Sequence, residues 1–402
     1  MSLLSSFSTG KGIGRRLSHV PPVSGATLQV QAVGIQFPHY PFQPLPTPNG
    51  PPPYRFDLSQ LLPAADINTI ANGTLVFHTV GDTGDHRGQQ QDFVAEMMTQ
   101  DAQSLPRQPA FFYHLGDVVY FAGDISMYGD NFYQTYKDYP CFIVAIPGNH
   151  DCQPDDPQDG PVDPNKVPFD GFVQNFMSTT PEVPGSIKTG APRTQMDLPN
   201  AYWTFTTPYA TILGLCSNVG ETEGEIHQDQ QDWFVSELQA ADPNKALIVT
   251  VHHPPFSGDI DHSGSSAVEV VLTKSFQAAG RYPDMVMSGH VHNYQRFTNV
   301  VTDAGGNTRQ IPFIVAGAGG YTKLGTLHKI KRQYPTVPLV INTDLTLEQY
   351  NITDFGFLRL EIGPTQINGS YLSAPFNNSS TPVGQQTDSF TLNLITHTVT
   401  TN

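Results

Sequence analysis

Side chains that can bind a metal ion recur in five short segments of the chain. The segments are Gly81-Asp82-Thr83-Gly84, Gly116-Asp117-Val118-Val119-Tyr120, Gly148-Asn149-His150-Asp151, Val249-Thr250-Val251-His252 and Gly289-His290-Val291-His292. Taken alone, each has a simpler explanation, since Gly-Asp pairs are common in turns and a histidine after a strand is more often a hydrogen-bonded polar group. The occurrence of all five in one chain is hard to explain by turn chemistry.

The donors in these segments suit two cations that prefer oxygen and nitrogen ligands. The candidates are Asp82, Asp117, Tyr120, Asn149, His252, His290 and His292. Such a set suits Fe, Zn or Mn and needs no thiolate. Seven ligands are too many for one ion but suit two, if one carboxylate bridges. Two ions about 3.5–4 Å apart stabilise an in-line displacement at phosphorus and generate a hydroxide nucleophile near neutral pH. The pattern therefore indicates hydrolysis of phosphate esters.

Each segment follows a run of residues that predicts a buried strand. The runs are Thr74–Val80, Phe111–Leu115, Phe142–Ile146, Ala246–Val251 and Asp284–Ser288. They are short, largely apolar and followed by glycine, proline or histidine, as buried strands before tight loops are. Ligands of an open α/β sheet bind outside the carboxyl ends of its strands. We therefore expect the candidate side chains to meet at one rim of the fold.

The other predicted elements complete a single α/β domain. They comprise helices at Gln89–Gln103, His227–Ala241 and Ser266–Ala279, and strands at Tyr202–Thr206, Ala210–Leu215 and Pro312–Ala316. From Phe355 onward, alternating apolar residues predict antiparallel strands that close a second sheet. Strand–loop–helix units on both sides of a strand-rich middle favour one domain over residues 71–402. Residues 1–70, rich in Pro and Gly, are expected to form an N-terminal arm.

Composition excludes several classes of protein. The formal net charge of −16 and the pI near 5.1 argue against a nucleic-acid partner. No apolar run is long enough to span a membrane, and the N-terminus lacks the apolar core of a signal peptide. Three cysteines imply no disulfide framework, although Cys141 and Cys152 are near enough in sequence to pair.

The five segments resemble the signature of the calcineurin-like metallophosphoesterases. Tyr120, three residues after Asp117, and glycine at position 84 make them similar to the purple acid phosphatase branch. The similarity spans about residues 74–395 and includes Gly289-His290-Val291-His292-Asn293-Tyr294 and Gly317-Ala318-Gly319-Gly320. The similarity does not cover the N-terminal arm. The chain is more like the small, single-domain type of this branch. The resemblance implies a four-layer α/β/β/α sandwich with a binuclear metal site.

The resemblance also implies how the ligands are shared between the ions. Asp82, Tyr120 and His292 would hold Fe(III), and Asp117 would bridge. The second ion, Fe(II), Zn(II) or Mn(II), would be held by Asn149, His252 and His290. A phenolate ligand favours Fe(III), and in this family its charge-transfer band gives a purple colour.

Further residues are expected to assist the metal ligands. His150 resembles the family histidine that contacts the substrate phosphate or assists the leaving group, and His262 lies where single-domain members place another catalytic histidine. A surface position is equally open for His262. Asp151 and His253 are expected to orient their neighbours. Arg296 is expected to be structural.

The expected activity is hydrolysis of small-molecule phosphomonoesters by direct attack of metal-bound hydroxide, without a phosphoenzyme. One alternative is a phosphodiesterase of the same superfamily that uses Mn or Zn and in which Tyr120 is a bystander. Another is a non-enzymatic binding protein with a vestigial site. The sequence argues against it, because a suitable residue is present at all seven ligand positions. The family is often secreted, whereas no signal peptide is recognised in this sequence, so the compartment stays open. The oligomeric state also stays open.

Overall fold

The computed structural model describes residues 42–84, 89–154, 165–184, 193–218, 223–303, 305–377 and 381–402. Within them lie sixteen strands, numbered in chain order. They are β1 (Arg55–Asp57), β2 (Leu75–Val80), β3 (Phe111–His114), β4 (Phe142–Ala145), β5 (Trp203–Thr206), β6 (Ala210–Leu215), β7 (Ala246–Val251), β8 (Met285–Ser288), β9 (Tyr294–Thr302), β10 (Thr308–Ala316), β11 (Leu339–Val340), β12 (Leu345–Asn351), β13 (Phe355–Ile362), β14 (Gln366–Ala374), β15 (Gln385–Asn393) and β16 (Thr398–Thr401).

Helices lie between these strands along the chain. The α-helices are α1 (Ala64–Ala71), α2 (Gln90–Ser104), α3 (Asn149–Cys152), α4 (Asp170–Phe176), α5 (Gln228–Ala240) and α6 (Ser266–Ala279). Short 3₁₀ turns lie at Leu58–Gln60 and Ile125–Met127, and a π-helix at Gly129–Gln134. Among the residues that the structure describes, no helix is long and apolar enough to cross a membrane.

The strands form two sheets that pack face to face. One sheet has the order β1-β5-β6-β7-β8-β10-β9-β12-β11, and the other β16-β15-β14-β13-β2-β3-β4. The ring centroids of Phe111 and Phe205 lie 5.0 Å apart across the interface, and Tyr113 Oη lies 2.8 Å from Thr250 Oγ1. Helix α2 packs on β13 of the second sheet, and α5 packs on β6 of the first sheet with α6 beside it. This arrangement confirms the predicted four-layer α/β/β/α sandwich.

Several predicted elements lie where the sequence places them. Strands β6 and β7 and helix α6 have the predicted bounds, and β13 to β16 are antiparallel as expected. Strand β10 begins at Thr308, four residues before the predicted start at Pro312. Pro312 lies one residue before the pairing of β10 with β8 begins, a place where a missing N–H is tolerated. Strand β9 was not predicted because it follows the His-x-His segment almost directly.

Residues 42–70 pack against the domain. Strand β1 pairs in parallel with β5 at one edge of the nine-stranded sheet, and the Arg55 guanidinium binds the Glu237 carboxylate through two 2.9 Å contacts. A three-residue strand is too short to show alternation in a Pro-rich sequence. Residues 1–41 lie outside the described part, so the boundary of the arm after residue 70 stays a prediction.

Candidate metal centre

The candidate side chains follow parallel strands in both sheets. In the seven-stranded sheet, β2, β3 and β4 lead to Asp82, Asp117 and Asn149. In the nine-stranded sheet, the neighbouring strands β7 and β8 lead to His252 and His290. Hydrogen bonds join the two rims, since Gly81 N donates to Ala316 O at 2.9 Å. The structure therefore brings all five segments together at one edge of the sandwich.

Three of the candidate ligands surround the hydroxyl of Tyr120, which is itself a candidate ligand. Tyr120 Oη lies 3.0 Å from Asp117 Oδ2, 3.2 Å from Asp82 Oδ1 and 3.3 Å from His292 Nε2. Asp82 and Asp117 are buried, and the His292 side chain is 14% exposed. Two carboxylates, a phenol and an imidazole thus converge on one point.

A second group of ligands surrounds the side-chain oxygen of Asn149. This oxygen lies 3.1 Å from His252 Nε2 and 3.0 Å from His290 Nδ1. His252 Nδ1 donates to Leu115 O at 2.8 Å, which fixes the ring and turns Nε2 toward the site. The ligand atoms of Asp117, His252 and His290 all lie within 4.8 Å of one another.

Asp117 lies between the two groups. Its Oδ2 atom is 3.0 Å from Tyr120 Oη and 3.3 Å from His252 Nε2. Its other oxygen, Oδ1, accepts a hydrogen bond from His150 N at 2.9 Å. Asp117 therefore faces both groups of candidate ligands.

Backbone conformation aims three of these side chains into the site. Asp82, Asp117 and His290 have φ values of 60°, 54° and 66°, in the left-handed region. Non-glycine residues rarely adopt it, and Asp and His are enriched among those that do. Such strain concentrates at functional sites, where surrounding contacts enforce it. Glycine at 148 is required because a Cβ atom there would collide with the Asp117 carboxylate.

The electrostatics of the cluster favour a cation. Burial, and then the nearby Asp117 and Asp82 carboxylates, raise the pKa of Tyr120 well above its ordinary value. Burial also raises the pKa of Asp82. Burial alone would lower the pKa of His252, but the Asp117 carboxylate raises it to about 9. Protons thus compensate the buried negative charge, and metal ions would replace them and favour the ionised ligands. The donor set and its charge fit two metal ions.

Asp151 joins the loops that carry Asp117 and Asn149. Its carboxylate accepts hydrogen bonds from Gly148 N at 2.9 Å and from Val118 N at 3.0 Å. Burial, and then the Asp117 charge, raise the pKa of Asp151 to about 7. Asp151 thus contacts the backbones of both candidate ligand loops, and its orienting role stays a prediction.

Replacement of Asp151 by Ala should weaken metal binding. The Gly148 and Val118 amides would lose their acceptor, so the neighbouring ligand loops would lose their relative position. We expect a 10- to 100-fold loss of metal affinity, about the cost of losing a residue that supports a metal ligand. Competition with a chelator would measure it, with Asp303→Ala, an exposed carboxylate in a distant turn, as the control. Equal affinities in the two variants would contradict this role.

The additional histidines occupy different places. His150 is half-buried, and its Nδ1 lies 2.5 Å from Phe121 O. The His262 ring lies 4.9 Å from that of His290 and 5.2 Å from that of His292, two of the candidate ligands. His253 is buried, with Nδ1 2.7 Å from Ser217 Oγ, and its ring lies 4.2 Å from the His290 ring.

Two neighbours of the site were missed in the sequence. Tyr321 stacks on Tyr120 with ring centroids 3.9 Å apart, and it follows the Gly317–Gly320 segment directly. The Thr83 hydroxyl lies 2.9 Å from Nε2 of the buried His114. Tyr321 could have been found because it follows a glycine-rich segment, and Thr83 because it lies within the Gly81–Gly84 segment. The contact of Thr83 with His114 is set by the tertiary structure. All three cysteines lie in the described part and are free, so the possible Cys141–Cys152 pair is not formed in this structure.

A family model identifies the class of the protein. The model of the calcineurin-like phosphoesterases matches residues 75–294, more than half of the chain. The protein therefore belongs to the calcineurin-like phosphoesterase family. Members hydrolyse phosphate esters and use a centre of two metal ions.

Curated relatives within the family are distant. The chain is 28% identical to purple acid phosphatase 21 of Arabidopsis thaliana over 176 residues, covering 40% of this chain and 34% of that protein. It is 26% identical to a probable glycerophosphodiester phosphodiesterase, GpdQ, of Arcobacter nitrofigilis over 187 residues, covering 44% of this chain and 56% of that protein. The matches thus span less than two thirds of either relative.

Solved structures support the fold alone. The structure of PhoD superposes with a TM-score of 0.54 at 13% identity, covering 82% of this chain and 71% of that one. GAP50, the anchor in the inner membrane complex of Plasmodium, gives a TM-score of 0.50 at 15% identity, covering 78% and 88%.

Proposed function

We propose that the protein is a phosphomonoester hydrolase of the purple acid phosphatase type, with an Fe(III)–M(II) centre. The observation that carries the proposal is the position of the Tyr120 hydroxyl, 3.0–3.3 Å from atoms of Asp117, Asp82 and His292. A phenol among two carboxylates and an imidazole suits a hard trivalent ion. Partial similarity to a plant purple acid phosphatase supports the same branch.

The two groups of side chains supply the proposed ligand sets. Asp82, Tyr120 and His292 would hold Fe(III), Asn149, His252 and His290 would hold Fe(II), Zn(II) or Mn(II), and Asp117 would bridge. When bound, such a pair of ions supplies a hydroxide nucleophile and neutralises the charge that develops on the phosphate.

Two histidines of the chain are the proposed proton donors. The contact of His150 Nδ1 with Phe121 O fixes the ring and leaves Nε2 available to a substrate. The His262 ring lies against those of His290 and His292, two of the proposed metal ligands, which supports a role beside the metal centre. As an imidazolium, either residue can protonate the leaving alkoxide and stabilise phosphate charge. Phosphate esters of small molecules are the proposed substrates.

Replacement of Tyr120 by Phe tests the ferric assignment. The iron-loaded wild type should show a broad visible band from tyrosinate-to-Fe(III) charge transfer, and Tyr120→Phe should lose that band because the phenolate is gone. Absorption spectra with elemental analysis measure both colour and metal content. Tyr113→Phe, a buried tyrosine between the sheets, is the control and should keep the band. A colourless wild type with two bound metals, one of them iron, would refute the assignment.

A second candidate is a phosphodiesterase that uses Mn or Zn, with Tyr120 as a bystander. The match to a probable glycerophosphodiester phosphodiesterase favours it. Turnover of p-nitrophenyl phosphate against bis(p-nitrophenyl) phosphate, with each metal in turn, separates the candidates. Faster diester turnover by Mn- or Zn-loaded protein, unchanged in Tyr120→Phe, would support the second candidate. No turnover of either ester by metal-loaded protein would favour a vestigial site.

A further inference from the structure

A buried carboxylate outside the proposed ligand sets lies beneath the loop that carries His262. Asp259 is 1% exposed and precedes His262 by three residues. Its Oδ1 atom accepts hydrogen bonds from His262 N at 3.0 Å and from Asp261 N at 2.8 Å. This oxygen therefore closes the turn in which His262 sits and fixes the backbone of that residue.

The second oxygen of Asp259 faces the metal-side loop. Asp259 Oδ2 accepts a hydrogen bond from Asn293 Nδ2 at 2.9 Å, and Asn293 directly follows His292. The orientation of the Asn293 amide is set in turn, because its Oδ1 accepts from Gln295 Nε2 at 2.9 Å. One carboxylate thus connects the backbone of His262 with the neighbour of a proposed metal ligand.

The same carboxylate is enclosed by a third segment. A Cβ atom on Gly325 would collide with Asp259 Oδ2, so only glycine fits there without displacing the carboxylate. Gly325 N donates to His292 O at 2.9 Å. Asp259, Asn293 and Gly325 therefore form a rigid contact between the His262 loop and the His-x-His loop.

We propose that Asp259 is a positioning residue that holds the His262 ring against His290 and His292, 4.9 Å and 5.2 Å away between ring centroids. The catalytic consequence rests on the proposed function, in which His262 acts on the substrate. Catalytic side chains must be held within about 0.5 Å of their productive position. A displacement of about 1 Å can reduce turnover by about 100-fold.

Asp259→Asn is the variant that breaks this connection with the smallest change in shape. The asparagine oxygen can still accept from the backbone of residues 261 and 262, but its amide nitrogen would face Asn293 Nδ2, another donor. Rotation of the Asn293 amide would relieve that clash only by losing the bond from Gln295. We expect the His262 ring to move away from His290 and His292 in a crystal structure of the variant.

Kinetics of a double-mutant cycle test the consequence. We expect Asp259→Asn to lower kcat by about 10- to 100-fold while KM changes by less than about threefold, because the ring is displaced while metal-held substrate binding persists. In the His262→Ala background the same change should lower kcat by less than about twofold, since residues that act through one another are not additive. Equal effects of Asp259→Asn in both backgrounds would overturn the proposal.

Two further variants separate positioning from stability. Asp284→Asn alters another buried carboxylate, which accepts from Leu247 N at 2.8 Å at the opposite end of the sheet. It should lower the melting temperature without the loss in kcat. Gly325→Ala should reproduce the kcat loss of Asp259→Asn by displacing the carboxylate. Unchanged kcat in both Asp259→Asn and Gly325→Ala would overturn the proposal.

The crystal structure separates the failure of this inference from that of the proposed function. If the metal-loaded wild type hydrolysed neither ester class, the proposed function would fail, whereas the position of the His262 ring in Asp259→Asn would still decide what Asp259 does. A ring unmoved by the substitution would overturn the positioning role, whatever the activity of the wild type.

Discussion

Asp117→Asn should abolish phosphate-ester hydrolysis. Asp117 Oδ2 lies 3.0 Å from Tyr120 Oη and 3.3 Å from His252 Nε2, so this carboxylate faces both proposed ligand sets. Asparagine has the same shape but lacks the negative charge that bridging of two cations requires. We expect turnover to fall by about 1,000-fold or more, at least the loss that follows removal of one charge-stabilising group in other enzymes. Steady-state assays with metal-loaded protein measure it.

Metal content shows why activity is lost. If Asp117 bridges, elemental analysis of Asp117→Asn should find fewer than two ions per chain, while Asp284→Asn should keep the wild-type content. The fold should survive, because removal of buried negative charge leaves the neighbouring strands β2, β3 and β4 paired. Wild-type activity in Asp117→Asn would refute the metal assignment.

Asp388→Leu should destabilise the protein by about 3–5 kcal/mol, the usual cost of removing one partner from a buried ion pair. Asp388 of β15 accepts from Arg296 Nε at 2.7 Å and from Arg296 Nη2 at 2.9 Å, across the two sheets. Tyr294 Oη also donates to it at 2.7 Å. The Arg296 side chain is 0% exposed. The substitution therefore leaves a buried guanidinium without the carboxylate that compensates its charge. Urea unfolding followed by circular dichroism measures the loss.

Removal of both charges is the matched comparison. In the Arg296→Met/Asp388→Leu double variant no buried charge is stranded, so most of the lost stability should return. Tyr294→Phe in the same background removes the remaining orphaned hydroxyl. If the double variant proved no more stable than Asp388→Leu, the cost would come from lost packing rather than from an uncompensated charge. The pair is structural, as expected for Arg296.

Local sequence patterns predicted the strands, helices and candidate ligands. The bounds of strand β7 and helix α6 were predicted correctly from local sequence. Apolar runs and capping residues act over a few neighbouring residues, so they can be identified without the tertiary structure. The ligand segments were equally readable, since each places a donor at the end of a strand, and in four of the five segments that donor directly follows a glycine. A parallel sheet brings the ends of its own strands to one edge, so convergence within each sheet followed from the strand predictions. The meeting of the two rims depends on how the two sheets pack.

Only the tertiary structure decided which distant groups touch. Asp388 lies 92 residues from Arg296, and no periodicity connects them. Asp259 is an ordinary loop carboxylate in the sequence, and its contact with Asn293 arises because separate loops fold over one another. The edge strand β1 likewise depends on β5, about 150 residues away. Residue types and their spacing thus determined the class of site, because metal chemistry and strand ends are local properties. Pairing across the sandwich was left to the tertiary structure, because it depends on how two sheets and their loops pack.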